Sequence, residues 1–175
     1  MKILAEFLAS KRDGIIGLWL ERTLQNYPDG TSRFMLQEHD RFRNPVGNAL
    51  KENLPALFDA LLEIEATGEF EHGLDTVIRM RAVQDFSPSE AVSFIFLLKE
   101  IVRQELKGGR QIDSDGSAFA AFETRVDKMA LHAFDLYVRC REQISEIKAD
   151  EIRRRFYVRE TIAKNCADET KDKKR

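Results

Sequence analysis

Apolar residues recur along this chain at steps of three and four, and no bounded stretch alternates apolar with polar. That spacing predicts helices and argues against strands. The densest apolar stretch is 78–100, IRMRAVQDFSPSEAVSFIFLLKE. It carries the clearest helix start in the chain: Ser87 suits the cap, Pro88 the first helical position, and Glu90 the third, where its carboxylate reaches back. Ala91 to Leu98 is apolar nearly all the way round, so this helix is expected at the centre of the core, enclosed by others.

The remaining elements follow in order. From Ile3 to Asn26 the residues Leu4, Phe7, Leu8, Ile15, Leu18, Trp19 and Leu20 share helical spacing, with Gly14 as a dividing point and Asp13 as a candidate cap. Tyr27-Pro28-Asp29-Gly30 reads as a turn. Residues 31–43 are mixed and predict a loop with a single helical turn around Phe34-Met35-Leu36. Asn44-Pro45 opens the next helix as cap and first position. Its face carries Val46, Leu50, Leu54, Leu57, Phe58, Leu61 and Ile64, and Pro55 is expected to kink or restart it, with Asn53 as the new cap. Thr67-Gly68 ends it. A further helix carries Phe70, Leu74, Val77, Ile78 and Arg81 and breaks before Pro88. The central helix stops at Gly108-Gly109.

After the polar loop 111–116, one long helix is predicted from Ser117 to near Asn165, with no proline or glycine inside. Phe119, Phe122, Val126, Met129, Ala133, Leu136 and Cys140 keep three-four spacing, the pattern of a helix packed lengthwise on a partner. Val126 and Met129 are accordingly expected at a dimer seam. Beyond Leu136 the charge density rises. The organisation read from this is a helical domain over 1–145, a charged, projecting part of the last helix over 146–166, and a disordered tail over 167–175. The fold class is an all-α helical bundle with a long C-terminal helix.

Composition narrows the function. The 175 residues are 43% apolar and 33% charged, with a formal net charge of −2. A core of that size needs no metal or disulfide, and a chain without a basic excess is a poor general nucleic-acid binder. No run approaches the roughly 20 apolar residues of a membrane span. The start of the chain lacks a secretory pattern, so reduced thiols and a cytoplasmic setting are expected. Cys140 and Cys166 match no metal spacing, and Cys140 on the apolar seam reads as a small buried residue.

Catalytic patterns are missing: no phosphate-binding glycine loop, no zinc motif, no nucleophile elbow. His39 and His72 read as exposed, and His132 lies beside the apolar seam of the last helix. No cofactor is expected, and no enzyme. The informative polar residues are Arg79, Arg81, Gln84 and Asp85, beside the Ser87–Glu90 cap. Arg81 and Asp85, four apart on one helix, are positioned to pair. Two readings of the cluster stand open: a surface ion pair that ties down the Phe86-Ser87 turn, or a site that holds an interhelical switch or a bound anion.

Several blocks carry a family resemblance. Residues 81–91, RAVQDFSPSEA, followed by Phe94-Ile95-Phe96-Leu97-Leu98-Lys99, resemble the signature of the RsbRD N-terminal domain family. Trp19-Leu20 through Tyr27-Pro28, then 42–47, FRNPVG, then Phe134-Asp135-Leu136-Tyr137 with Cys140-Arg141-Glu142, resemble its other blocks in the same order. The resemblance spans roughly residues 4 to 150. It implies an all-helical sensory domain of bacterial signalling proteins, which in the namesake group precedes a STAS domain and helps control the stressosome. Related regulators have sensory domains like globins without heme, so a globin-like bundle is implied.

The function expected is a non-enzymatic sensory or regulatory module acting as a homodimer on a signalling partner of the STAS-domain or kinase type. The chain is expected to be a stand-alone version without an output domain. The alternative is a small-ligand or heme-binding protein on a globin-like scaffold, which needs a histidine facing an apolar pocket.

Overall fold

Why these residues make helices is clearest at α4, residues Pro45–Leu62. Proline opens it, and the Asn44 side chain accepts from the Gly47 N–H at 2.9 Å, which satisfies one of the bare donors of the first turn. The computed structural model describes residues 2–62, 68–84, 86–107 and 116–172, with side-chain surroundings up to residue 160. The described residues form helices without strands. In chain order these are α1 Lys2–Ser10, α2 Arg12–Leu24, α3 Asp29–Gln37, then α4, α5 Gly68–Val83, α6 Pro88–Leu106 and α7 Ser117–Asp172. The Thr67 end of α4 and the Gly108-Gly109 stop of α6 lie outside the described residues. The chain divides into two compact units, Met1–Val138 and Arg139–Arg175.

In the first unit α4 packs on α5, and α2 packs on both α6 and α4. Its core contains Trp19, Phe58, Phe94 and Phe122, each fully buried, among Leu50, Leu54, Leu57, Leu74, Val77 and Ile78. Each such side chain contributes about 1.5–3 kcal/mol by leaving water. Polar links run between the same helices. Arg12 on α2 makes a two-pronged pair with Asp59 on α4, at 2.8 and 2.7 Å, and that hydrogen bonding raises the arginine's pKa. From α7, Lys99 and Arg103 of α6 are met by Asp127 and Glu123, each at 2.6 Å, and Arg125 donates to the Leu61 carbonyl of α4.

Four expectations change. Residues 29–37 form a full helix, α3, rather than a loop, because Met35 supplies a buried anchor that the polar surroundings obscure. The first segment breaks at Lys11, not Gly14; Gly14 and Gly17 are ordinary helical positions with open space around them. Helix α4 runs unbroken through Pro55, since Leu54, Leu57 and Phe58 are fully buried on either side and hold the turn in place despite the lost N–H. The central helix α6 is not enclosed on all sides: Phe96 is 42% exposed, with the Lys99 ammonium 5.7 Å from its ring centre.

The corner between α3 and α4 is tightly made. The buried Asn44 amide donates to the carbonyls of Met35 and Glu38 at 2.8 and 2.9 Å. Lys51 reaches back to the carbonyls of Leu36 and Glu38. Gly47 is required there, because a Cβ would lie 2.4 Å from the Asn44 side chain and 2.7 Å from the Met35 oxygen.

Helix α7 continues to Asp172, past the end near Asn165 that the sequence suggests. Between 141 and 160 its described side chains are exposed or half-exposed. In the first unit its three-four seam turns inward: Phe122 and Val126 are fully buried, and Met129 is 4% exposed. Val126 and Met129 thus belong to the chain's own core, not to a free surface available to a second copy. Val126→Glu would place an unpaired carboxylate there and is expected to lower stability by about 3 kcal/mol or more. Urea denaturation checks this. A variant as stable as the wild type would show that the α7 seam is not part of the core.

Candidate functional site

The polar residues picked out by the sequence converge on the junction between α5 and α6. The capping box forms in full. The Ser87 hydroxyl accepts from the Glu90 N–H at 3.3 Å, and the Glu90 carboxylate accepts from the Ser87 N–H at 2.9 Å and from its hydroxyl at 2.6 Å. The hydroxyl and backbone bonds to Ser87 hold the Glu90 carboxyl below the usual glutamate range, which favours its charged form.

Behind this cap lies Arg81, which is fully buried. Its Nη1 donates to the Glu90 carbonyl at 3.0 Å, which also accepts from the Ser93 hydroxyl at 2.9 Å. Among the described residues its Nε and Nη2 are buried with no hydrogen-bond partner. Two rings face the guanidinium, Phe86 at 5.0 Å and Phe94 at 4.8 Å from their centres. Such contacts stabilise a desolvated cation by about 2 kcal/mol. Burial lowers the Arg81 pKa, while nearby Tyr27 works the other way; an arginine stays protonated at neutral pH regardless.

Aromatic neighbours lock the junction. Tyr27 meets Phe86 edge-on at 5.3 Å and donates to the Gln84 side chain at 2.9 Å. Desolvation raises the Tyr27 pKa, and Arg81 opposes that rise. Tyr137 on α7 donates to the Phe86 carbonyl. Trp19 stacks on Phe94 at 5.9 Å, and its indole donates to the Phe94 carbonyl at 2.7 Å. On the outside, Asn26, Phe86, Ser89, Glu90 and Ser93 line an open depression of about 280 Å³.

The structure therefore brings together Arg81, Gln84, Ser87 and Glu90. It separates Arg79, whose side chain is half-exposed and pairs with Asp75 at 2.6 Å. Asp85 and its expected pairing with Arg81 lie outside the described residues. Tyr27, Phe86, Phe94 and Tyr137 belong to the site yet stood in the sequence as turn or core residues. Their signal is the order of the resembling blocks, two of which hold Tyr27 and Tyr137.

Among the described residues of this junction no set of groups converges for acid–base or nucleophilic chemistry. Among the described residues no three His, Cys, Asp or Glu side chains are grouped to hold a metal, and no helix is long and apolar enough to cross a membrane. His39 and His72 are exposed, and His132 stacks on Phe70 at 6.3 Å. Cys140 is buried.

Ser87→Ala removes a hydroxyl that both accepts and donates at the cap, and should cost about 1 kcal/mol in thermal or urea unfolding. The Glu90 contribution has a definite sign with pH. A folded-state pKa below the unfolded one adds stability at neutral pH, and that stability is lost as pH falls through the depressed value. Glu90→Gln should thus be less stable than the wild type at pH 7, and the gap should close in acid. A gap that is constant with pH would mean the carboxylate charge is not what the cap uses.

The model of the RsbT co-antagonist protein rsbRD N-terminal domain matches residues 13–152. No curated protein and no solved structure matches the chain. The matched span contains α3 to α6, most of α2, the whole of the α5–α6 junction and the inward-facing seam of α7. With four-fifths of its length and every residue of this site inside the match, the chain belongs to the RsbRD N-terminal domain family, a family of regulatory domains in stress signalling.

Proposed function

We propose that the chain is a non-enzymatic sensory module that acts in the cytoplasm as a homodimer and passes its state to a partner signalling protein of the STAS-domain or kinase type. Membership of a stress-signalling family supports the regulatory role. The observation that carries the dimer is the outer face of α7. In the first unit Leu131 is 67%, Phe134 43% and Val138 36% exposed, on the side of the helix away from Ala133 and Leu136. In the second unit Ile152 is 55% and Phe156 68% exposed. In sequence Leu131, Val138, Ser145 and Ile152 recur every seven residues, with Phe134 and Phe156 three and four places on. A seven-residue repeat of this kind, interrupted at Ser145, supports pairing of this face with a second copy of the helix. A stable dimer buries about 800 Å² per partner, more than three side chains supply, so further residues contribute beside them.

Among the described residues a hydrogen bond links the junction to this helix. Tyr137 donates to the Phe86 carbonyl and is followed in the chain by Val138. A change in the packing of Phe86 therefore pulls on the turn of α7 that carries the seam. Two packings of such a junction need differ by only a few kcal/mol, and an input shifts them by its difference in affinity.

Leu131→Glu together with Val138→Glu replaces exposed residues, so it should leave the fold intact and convert a dimer to a monomer. Light scattering on the eluting protein at about 50 μM, far above a typical dimer Kd near 1 μM, reads the mass. A monomeric wild type, or a double variant that stays dimeric, overturns this seam. The partner role is tested by co-purification with the wild type and with the double variant from the native host.

A further inference from the structure

We propose that Arg81 is the anchor of a binding site for a small monocarboxylate, entered from the depression beside Phe86. Arg81 uses Nη1 on the Glu90 carbonyl, and its two buried nitrogens without a partner are Nε and Nη2. These two lie on one edge of the guanidinium, and their N–H groups point the same way. They are the pair that meets both oxygens of one carboxylate side-on. A buried charge with two idle donors is costly.

The route in is equally specific. Phe86 and Glu90 contact the guanidinium, through a ring face and a carbonyl, and both also line the outer depression. One layer of side chain thus separates the cation from solvent. Phe86 is half-exposed and belongs to neither helix, so rotating its ring outward breaks no helical hydrogen bond. Asn26, Ser89 and Ser93 offer polar contacts on the way.

Charge selects the class of ligand. The exposed Glu90 carboxylate stands at the mouth and is held ionised by Ser87. It opposes a phosphate dianion much more than a singly charged acid. The aromatic surroundings of the guanidinium, Phe86 and Phe94, suit a ligand with a short hydrocarbon body over one with a second charge. This deepens the regulatory reading and rests on it only in treating the carboxylate as an input. Binding is measured below without reference to oligomeric state, so either idea can fail alone.

The chain has one tryptophan, Trp19, stacked on the same Phe94 ring that faces Arg81. Its emission reports on the site. Sodium acetate, propionate and butyrate should each change Trp19 emission saturably and raise the melting temperature with concentration, while sodium chloride and sodium phosphate at equal ionic strength should not. Arg81→Met keeps the volume, removes the donors, and should abolish the response. Phe86→Ala removes the ring that must turn aside and should tighten binding several-fold. A wild type that treats carboxylates and chloride alike shows that water serves the idle edge, and overturns the site. So does an Arg81→Met protein that still responds, or a response to phosphate as strong as that to propionate. If Asp85→Asn alone reproduces the loss of stability seen in Arg81→Met and the wild type ignores every added acid, the edge is served by the chain's own carboxylate and no ligand site exists.

Discussion

Phe94 is the residue on which the first unit turns. Its carbonyl takes the Trp19 indole, and its ring takes both the Trp19 stack and the Arg81 cation. One position on α6 therefore holds α2 on one side and the end of α5 on the other. Aromatic contacts of this kind add about 0.5–1.5 kcal/mol beyond the area they bury, and here they are shared by three helices. The regulatory reading depends on this arrangement, because a helix gripped on two faces can transmit a change at its start to everything it touches.

The start of α6 was legible in the sequence because each signal there is local. Ser87, Pro88 and Glu90 specify a cap through the spacing of three residues, and the structure forms it. The same holds for Asn44 and Pro45. What was not legible was the destination of Arg81. Sequence spacing puts it four places from Asp85, which suggests a surface pair. Its actual setting depends on Phe86, Phe94 and Tyr27, which reach it from a junction, a neighbouring helix and a distant turn. No spacing rule connects those positions.

The last helix shows the same limit in another form. A three-four apolar repeat states that a helix packs lengthwise, but not against what. Val126 and Met129 face the chain's own helices. The weaker, interrupted set around Leu131 and Val138 is the one left outside. A strong repeat finds a partner during folding, so the residues that stay exposed are drawn from the weaker one. A restart at Pro55 and a loop at residues 29–37 fail for a related reason: tertiary burial overrode local preference, through Phe58 in one case and Met35 in the other.

The Asn44 corner has a mechanical consequence. Its amide, the Lys51 ammonium and the Gly47 backbone are all engaged, and no volume remains for even one methyl group. A displacement at this corner breaks several bonds together. Gly73 of α5 lies against Asn53 of α4, and α5 begins six residues after α4 ends, so the start of α4 and the end of α5 fall on the same side of the first unit. The Arg81 junction, with its two idle donors, is therefore built beside a closely fitted turn of the chain rather than opposite it.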